Sequence, residues 1–310
     1  MKGYAVRKPP FLKPGDTVAL LAPAGVITRP SVIDDAVALL ENEGFRVKVF
    51  PQSYQRYGSF AGKDDTRLQA LQQALDDPSI LLIWALRGGY GSIRLKDRID
   101  WSGFSEHPKW FAGFSDISVW LQEVHRLGFA SLHTFMPVNL MEDIPSAYIR
   151  AFFDLLKGKS VRHTVKRDSM NKNEQPVEGE LTGGNLATLY SLLPGSNLSF
   201  RNKILFLEDV GENLHAVDRM FQSLRAGGFL AGLKALLIGT FSEIKQSDPV
   251  FPYSVKQIVS DAVKSYDYPV FFNFPVGHTA ENFPVIHGGY YRIEIDKEKW
   301  AFSNLEEAGE

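Results

Sequence analysis

Lys109-Trp110-Phe111-Ala112-Gly113-Phe114-Ser115-Asp116-Ile117-Ser118 runs from a short apolar segment into a Gly-x-Ser-Asp turn. The residues that follow, Val119-Trp120-Leu121-Gln122-Glu123-Val124, carry an amphipathic helical pattern. Together they read as a strand, a sharp turn and a helix, with Ser115 at the apex. A hydroxyl placed there stands above the sheet, beside the backbone N–H groups of a helix N-terminus, which suits a nucleophile. The same residues suit plain helix capping, because Ser and Asp are good N-cap residues. Ile117 stands where a full G-x-S-x-G elbow has its second glycine. By itself the turn leaves both readings open.

Upstream of this turn, apolar runs alternate with helical patterns. Strands are expected at residues 17–23, 45–50, 80–86 and 110–114, with a further one at 130–133. Helices are expected over 31–43 and 64–75, and from the serine turn to about Arg126. This β-α-β alternation predicts an α/β fold with a mostly parallel sheet flanked by helices. Ligands in such sheets bind beyond the carboxyl ends of the strands. Three of those ends carry notable chemistry: Arg87-Gly88-Gly89-Tyr90-Gly91, Ser115-Asp116 and His133. From Lys157 to Glu180 the composition turns charged and polar, which predicts a linker or exposed loop over 157–180. That divides the chain into an N-terminal domain, 1–156, and a smaller C-terminal domain, 181–310, of mixed α and β character. In the latter we expect a Gly-rich helix start at 181–186 and strands at 204–207, 235–238, 270–274 and 290–295. Helices are expected over 216–226 and 253–266.

The composition is that of a globular protein: 310 residues, 44% hydrophobic and 23% charged, enough for one large or two ordinary domains. A formal net charge of −2 gives no electrostatic reason to expect nucleic acid or an anionic membrane as a partner. The first residues carry basic groups without an apolar segment behind them, so no secretory signal is expected. The longest apolar runs, 80–86 and 229–238, fall short of a membrane span. These features predict a soluble, cytoplasmic protein. The absence of cysteine excludes disulfides, cysteine nucleophiles and thiolate metal sites. Without H-E-x-x-H or comparable spacing, no metal is expected, and no organic cofactor is called for.

A serine nucleophile needs a base and a group that orients the base. His107, His125 and His163 read as solvated and His215 as surface. His278 follows a predicted strand in the Pro/Gly loop Phe274-Pro275-Val276-Gly277-His278, where a ligand can reach it. His133 is the runner-up base and His287 the third. The orienting acid is best sought at Glu208-Asp209, straight after the apolar run Ile204–Leu207, although acids in that position also serve as exposed turn residues. The Arg87–Gly91 loop can bring backbone N–H groups to an oxyanion or form only a tight turn; it meets neither nucleotide-binding glycine pattern. Arg87 and Arg94 are candidates to bind a substrate carboxylate, with structural salt bridges as the alternative.

Taken in order, these segments resemble the L,D-carboxypeptidase family of serine peptidases, which includes microcin C immunity peptidases. The resemblance rests on Leu12-Lys13-Pro14-Gly15-Asp16, Ala22-Pro23-Ala24, Phe60-Ala61-Gly62 leading to Arg67, and Arg87–Gly91. It continues through Gly113-Phe114-Ser115-Asp116, Gly183-Gly184-Asn185-Leu186, Leu207-Glu208-Asp209 and Pro275-Val276-Gly277-His278. It implies a glutamine-amidotransferase-like N-terminal domain, a smaller C-terminal domain and an active site between them. It also implies Ser115 as nucleophile, Glu208 as acid and His278 as base, with oxyanion donors from Asp116 and Gly89. The implied reaction releases terminal D-alanine from a murein tetrapeptide in cell-wall recycling, by a homodimeric enzyme. Two alternatives stand beside it. One is an immunity-type peptidase acting on a peptidyl-adenylate amide, which would use a stacking aromatic residue; Trp84, Trp101, Trp110 and Trp120 all read as packing residues. The other is a non-catalytic α/β protein that binds a small ligand.

Overall fold

The computed structural model describes residues 6–168, 175–194 and 198–305. The chain divides into two compact units. One runs to Lys159 and takes in Phe283–Gly288; the other comprises Ser160–Asn282 and the residues from Gly289 onward.

In the first unit, β1 (Thr17–Leu21), β2 (Arg46–Val49), β3 (Ile80–Ala85), β4 (Trp110–Gly113) and β5 (Ser131–His133) form a parallel sheet. Its helices are α1 (Ser31–Asn42), α2 (Asp64–Asp76), α3 (Ser102–Glu106), α4 (Ser118–Arg126) and α5 (Ser146–Leu156). The strand order is β2-β1-β3-β4-β5, closed at one edge by Val285–His287 (β11 in chain order), antiparallel to β5. Every residue of β4 and five of the six in β3 are buried. This is why these strands read as unbroken apolar runs: a parallel sheet is covered on both faces. The order reverses between β1 and β3, and a doubly wound sheet opens a crevice at such a point, beyond the strands' carboxyl ends. The serine turn leaves β4, the next strand along.

The second unit holds a seven-stranded mixed sheet. Its strands are β6 (Arg162–Lys166), β7 (Val177–Asn185), β8 (Lys203–Val210), β9 (Ala235–Ser242), β10 (Val270–Phe271), β12 (Tyr290–Ile295) and β13 (Lys299–Asn304), in the order β10-β9-β8-β7-β12-β13-β6. The half from β10 to β7 is parallel and the half from β7 to β6 antiparallel. Helices α6 (Leu186–Leu192), α7 (Leu214–Ala226) and α8 (Val255–Val263) complete it. Phe271, Phe274, Trp300 and Phe302 pack together in its core, with ring centroids 4.9–6.1 Å apart. Ser254 opens α8 with a reciprocal cap: its hydroxyl accepts from the Gln257 N–H, and the Gln257 side chain accepts from the Ser254 N–H at 2.8 Å.

Residues 157–180 contribute β6 and the opening of β7, whereas a loop was expected; residues 169–174 of that stretch lie outside the described residues. β6 is an edge strand whose side chains are largely solvated, so its polar sequence is compatible with pairing to β13. The glycines expected to start a helix at 183 and 184 lie in β7, paired with Phe206 and Leu207, and Asn185 then caps α6. β13 was not anticipated from the sequence. His125 and His163, expected in solvent, are half-buried: His125 meets the His287 ring at 5.2 Å, and His163 in β6 meets Phe302 at 5.8 Å.

Candidate active site

The chemistry divides into two constellations, one on each unit. In the first unit, Gly113 ends β4, Phe114 continues extended, and Ser115 takes a left-handed backbone with φ of 63°. An L-residue is held there at a cost of about 1–2 kcal/mol, and such strain concentrates at functional turns. The turn continues as a 3₁₀ segment, Ser115–Ile117, directly into α4. A Cβ on Gly113 would lie 2.9 Å from the Ile117 side chain. Ile117, the departure from the ordinary elbow, is therefore packed over the glycine that begins the turn. The first hydrogen bond of the turn runs from the Ile117 N–H to the Phe114 carbonyl at 3.1 Å. The Asp116 N–H precedes it at the head of the turn, where 3₁₀ and α geometry supply no acceptor.

The Arg87–Gly91 loop lies against this turn. A Cβ on Gly88 would sit 2.9 Å from the Ser115 Cβ, 3.2 Å from its Oγ and 3.3 Å from the Asp116 nitrogen. The loop is pinned to the end of β1, where the Gly25 N–H donates to the Gly88 carbonyl at 2.8 Å. Gly89 itself is exposed, with φ of 98°. The Asp116 carboxylate is buried and accepts from the Ser92 N–H at 2.9 Å. Burial raises its pKa, opposed by bonds from Ser92 and Gly91 and by the charge of Arg67.

Glu208 and His278 are brought together in the second unit. His278 Nδ1 lies 2.8 Å from Glu208 Oε2, with the carboxylate fully buried and the imidazole about one-fifth exposed. The strands explain the pairing. β8 and β9 pair in register up to Leu207–Ile238 and again from Asp209–Phe241, so β9 spends an extra residue opposite Glu208. Such a bulge re-aims a side chain. A Cβ on Gly239 would lie 2.6 Å from the Val276 carbonyl and 3.1 Å from the Glu208 Cβ. Because that Cβ is missing, residues 274–277 close onto β9: Phe274 donates to the Ile238 carbonyl at 3.0 Å, and Thr240 donates to the Val276 carbonyl at 2.8 Å. His278 follows immediately. With Nδ1 held by the carboxylate, a neutral imidazole keeps Nε2 as the proton acceptor, the arrangement a general base requires.

Asp209, the other acid of the pair, is structural. Its carboxylate accepts from the Asn185 side chain at 3.0 Å and from the Val210 and Ala187 N–H groups at 2.8 and 3.0 Å. Burial pushes its pKa up to about 6, with the neighbouring Glu208 charge adding to the rise. The runner-up His133 is fully buried in β5, its ring edge-on to Phe114 at 5.9 Å. His287 is buried in β11 with Nε2 at 3.0 Å from the Gln122 side-chain nitrogen. Arg94 is engaged by Asp64 through Nε and Nη2, at 2.9 and 2.7 Å, and Arg87 donates to the Val26 carbonyl at 2.9 Å. Two residues carry more of the site than their sequence context announced. Gly88 is the loop glycine in contact with Ser115, and Gly239 is the residue that lets the histidine segment close. The first stood inside a glycine-rich run after a strand; nothing local marked the second. Trp84, Trp110 and Trp120 are fully buried, and Trp101 is partly so.

Among known proteins, the LD-carboxypeptidase N-terminal domain is matched by residues 18–134 and the LD-carboxypeptidase C-terminal domain by residues 178–293. The murein tetrapeptide carboxypeptidase of Pseudomonas aeruginosa is 30% identical over 295 residues, spanning 91% of this chain and 94% of that protein. The crystal structure of muramoyltetrapeptide carboxypeptidase from Oxalobacter formigenes superposes with a TM-score of 0.82 at 27% identity, covering 94% of this chain and 99% of that one. The microcin C7 self-immunity protein MccF, solved with aspartyl sulfamoyl adenosine, shares the fold with a TM-score of 0.84 at 21% identity, over 96% and 98% of the two chains.

Proposed function

The chain belongs to the LD-carboxypeptidase family of serine peptidases, and on that premise we propose that it releases terminal D-alanine from a murein tetrapeptide, with Ser115, His278 and Glu208 as its catalytic triad. The observation that carries the assignment of the triad is the 2.8 Å bond between His278 Nδ1 and a fully buried Glu208. A carboxylate removed from water in that way has one evident task, to orient the imidazole and stabilise it once protonated. The names of the relatives support the substrate.

In the proposed reaction, Ser115 Oγ attacks the carbonyl that precedes D-alanine while His278 Nε2 takes its proton. The tetrahedral oxyanion is held by the backbone N–H groups of Asp116 and Gly89; one such donor is worth roughly 2.7–4 kcal/mol. His278 then protonates the departing amine, D-alanine leaves, and water activated by the same imidazole hydrolyses the acyl-Ser115 ester. We read the protein as a cytoplasmic homodimer working in peptidoglycan recycling. No helix among the described residues is long and apolar enough to cross a membrane.

The deciding experiment supplies purified protein with an L,D-tetrapeptide and, separately, with a peptidyl-adenylate amide. D-alanine release from the first, lost by a factor of about 10⁴ or more in Ser115→Ala, is the expected result. Cleavage of the adenylate amide alone would replace the proposed substrate with the immunity-type one. Turnover of neither, with no labelling of Ser115 by a fluorophosphonate, would favour a binding protein. Sedimentation of the same preparation tests the homodimer.

A further inference from the structure

Arg67, on α2, is fully buried and has no part in the proposed proton transfers. Its Nη1 donates to the Pro23 carbonyl at 2.7 Å and to the Gly91 carbonyl at 3.2 Å, and Nη2 pairs with Asp64. The guanidinium lies over the Phe60 ring at 4.9 Å. A Cβ on Gly91 would lie 2.8 Å from Arg67 Nη1 and 3.0 Å from the Phe60 ring, so residue 91 is shaped around this side chain. Pro23 follows β1, and Gly91 closes the loop after β3. One planar cation thus ties together the two chain segments at the reversal of strand order.

On the far side of Gly91, the Asp116 carboxylate takes up the Ser92 and Gly91 N–H groups. The loop is therefore gripped at three points: Gly88 by Gly25, Gly91 by Arg67, and residues 91–92 by Asp116. Gly89 and Tyr90 bow outward, exposed, between the first grip and the second. Asp116 contributes to the third grip through its side chain and to the serine turn through its backbone. The separation of the Gly89 and Asp116 amides is thus set by a closed ring of bonds, and Arg67 is its fixed point.

We propose that Arg67 is a positioning residue for the oxyanion hole, holding the Arg87–Gly91 loop so that the Gly89 and Asp116 amides converge on one oxygen. This rests on the reading of Ser115 as the nucleophile of a D-alanine-releasing peptidase. A guanidinium suits the task because its donors lie in a rigid plane and can bind two carbonyls and a carboxylate at once. An ammonium at the same place is a single point of attachment.

The test first establishes that wild-type protein releases D-alanine from L,D-tetrapeptide and that Ser115→Ala does not. Failure at that step overturns the reading of the reaction and this assignment with it. Arg67→Met and Arg67→Lys are then compared for kcat, KM, melting temperature and inhibition by a peptide aldehyde, whose adduct with the serine mimics the tetrahedral oxyanion. The expected result is a kcat about 30-fold or more below wild type in Arg67→Met, with KM within threefold. Aldehyde affinity should weaken in step with kcat, and Arg67→Lys should fall between. A merely structural arginine lowers the melting temperature and leaves both quantities within threefold of wild type per folded molecule; that result overturns the proposal. Where Arg67→Met does not fold, Asp64→Asn makes the same test at a partly exposed partner. It should lose three- to tenfold in kcat with the same pattern, and an unchanged kcat overturns the proposal.

Discussion

Placing one methyl group on Gly88 isolates the contact between the glycine loop and Ser115, the proposed nucleophile. Residue 88 is not in the left-handed region, so alanine fits its backbone and the perturbation is steric. The new Cβ would lie 2.9 Å from the Ser115 Cβ. Carbon atoms rest at about 3.5–4.0 Å, so loop and serine must separate by roughly 0.6 Å or more. Overpacking on this scale costs about 1–3 kcal/mol of stability, which lowers the melting temperature by only a few degrees. The effect on catalysis is larger for two reasons. A 1 Å misplacement of a reacting group costs on the order of 10²-fold in rate. The methyl also stands 3.3 Å from the Asp116 nitrogen, the amide proposed as an oxyanion donor, and one lost donor costs about 10²–10³ in kcat. Gly88→Ala should therefore lower kcat/KM for D-alanine release by about 10²–10³ while remaining folded. The assay is D-alanine release from tetrapeptide, with near-ultraviolet circular dichroism and a thermal melt on the same sample. A folded Gly88→Ala protein with activity within threefold of wild type would refute the claim that the space over Ser115 and Asp116 is where substrate reacts.

Three further perturbations test other parts of the structure. Glu208→Gln preserves the shape of the side chain but presents an amide to His278, favouring the wrong tautomer; kcat should fall by about 10³–10⁴, as such exchanges do in related triads, and a loss below tenfold would remove Glu208 from the triad. A histidine base works only when neutral, so kcat/KM should fall on acidification as the imidazole takes up a proton; a flat profile between pH 5 and 8 would count against His278. Lys109 is fully buried, donates to the Ala74 and Asp77 carbonyls, and is pushed down by burial to about 8. Its folded pKa lies below its unfolded one, so between those values the unfolded chain binds more protons and stability rises with pH. Relative to Lys109→Met, denaturant unfolding should show wild type gaining about 2 kcal/mol between pH 7 and 9.5, and equal slopes for the two proteins would show that the ammonium is solvated.

β3 and β4 of the first unit were legible because both faces of the sheet are covered there, so each is a short apolar run, and amphipathic helices α1 and α4 follow β1 and β4. β6 was harder to see. Edge and antiparallel strands carry solvated residues on one side, and the β6 sequence Arg-His-Thr-Val-Lys reads as a loop until a partner strand is known. Histidine character was similarly hidden. His163 looked solvated among charged neighbours, yet Phe302 comes from a strand far along the chain to cover it.

The sequence alone determined the serine turn, its strand and helix, and the residue types that a serine peptidase of this family needs. Those features are local, or recur in fixed order along the chain. Tertiary structure decided which of two adjacent acids meets the imidazole. Glu208 and Asp209 are consecutive and point to opposite faces of β8; Glu208, opposite the one-residue bulge in β9, meets His278, while Asp209 is taken up by the start of α6. Tertiary structure likewise put Gly88 against Ser115 and Arg67 behind Gly91, through contacts whose partners lie 24 or more residues apart. Strand register and close backbone approach depend on the whole sheet, and no short stretch of sequence contains them.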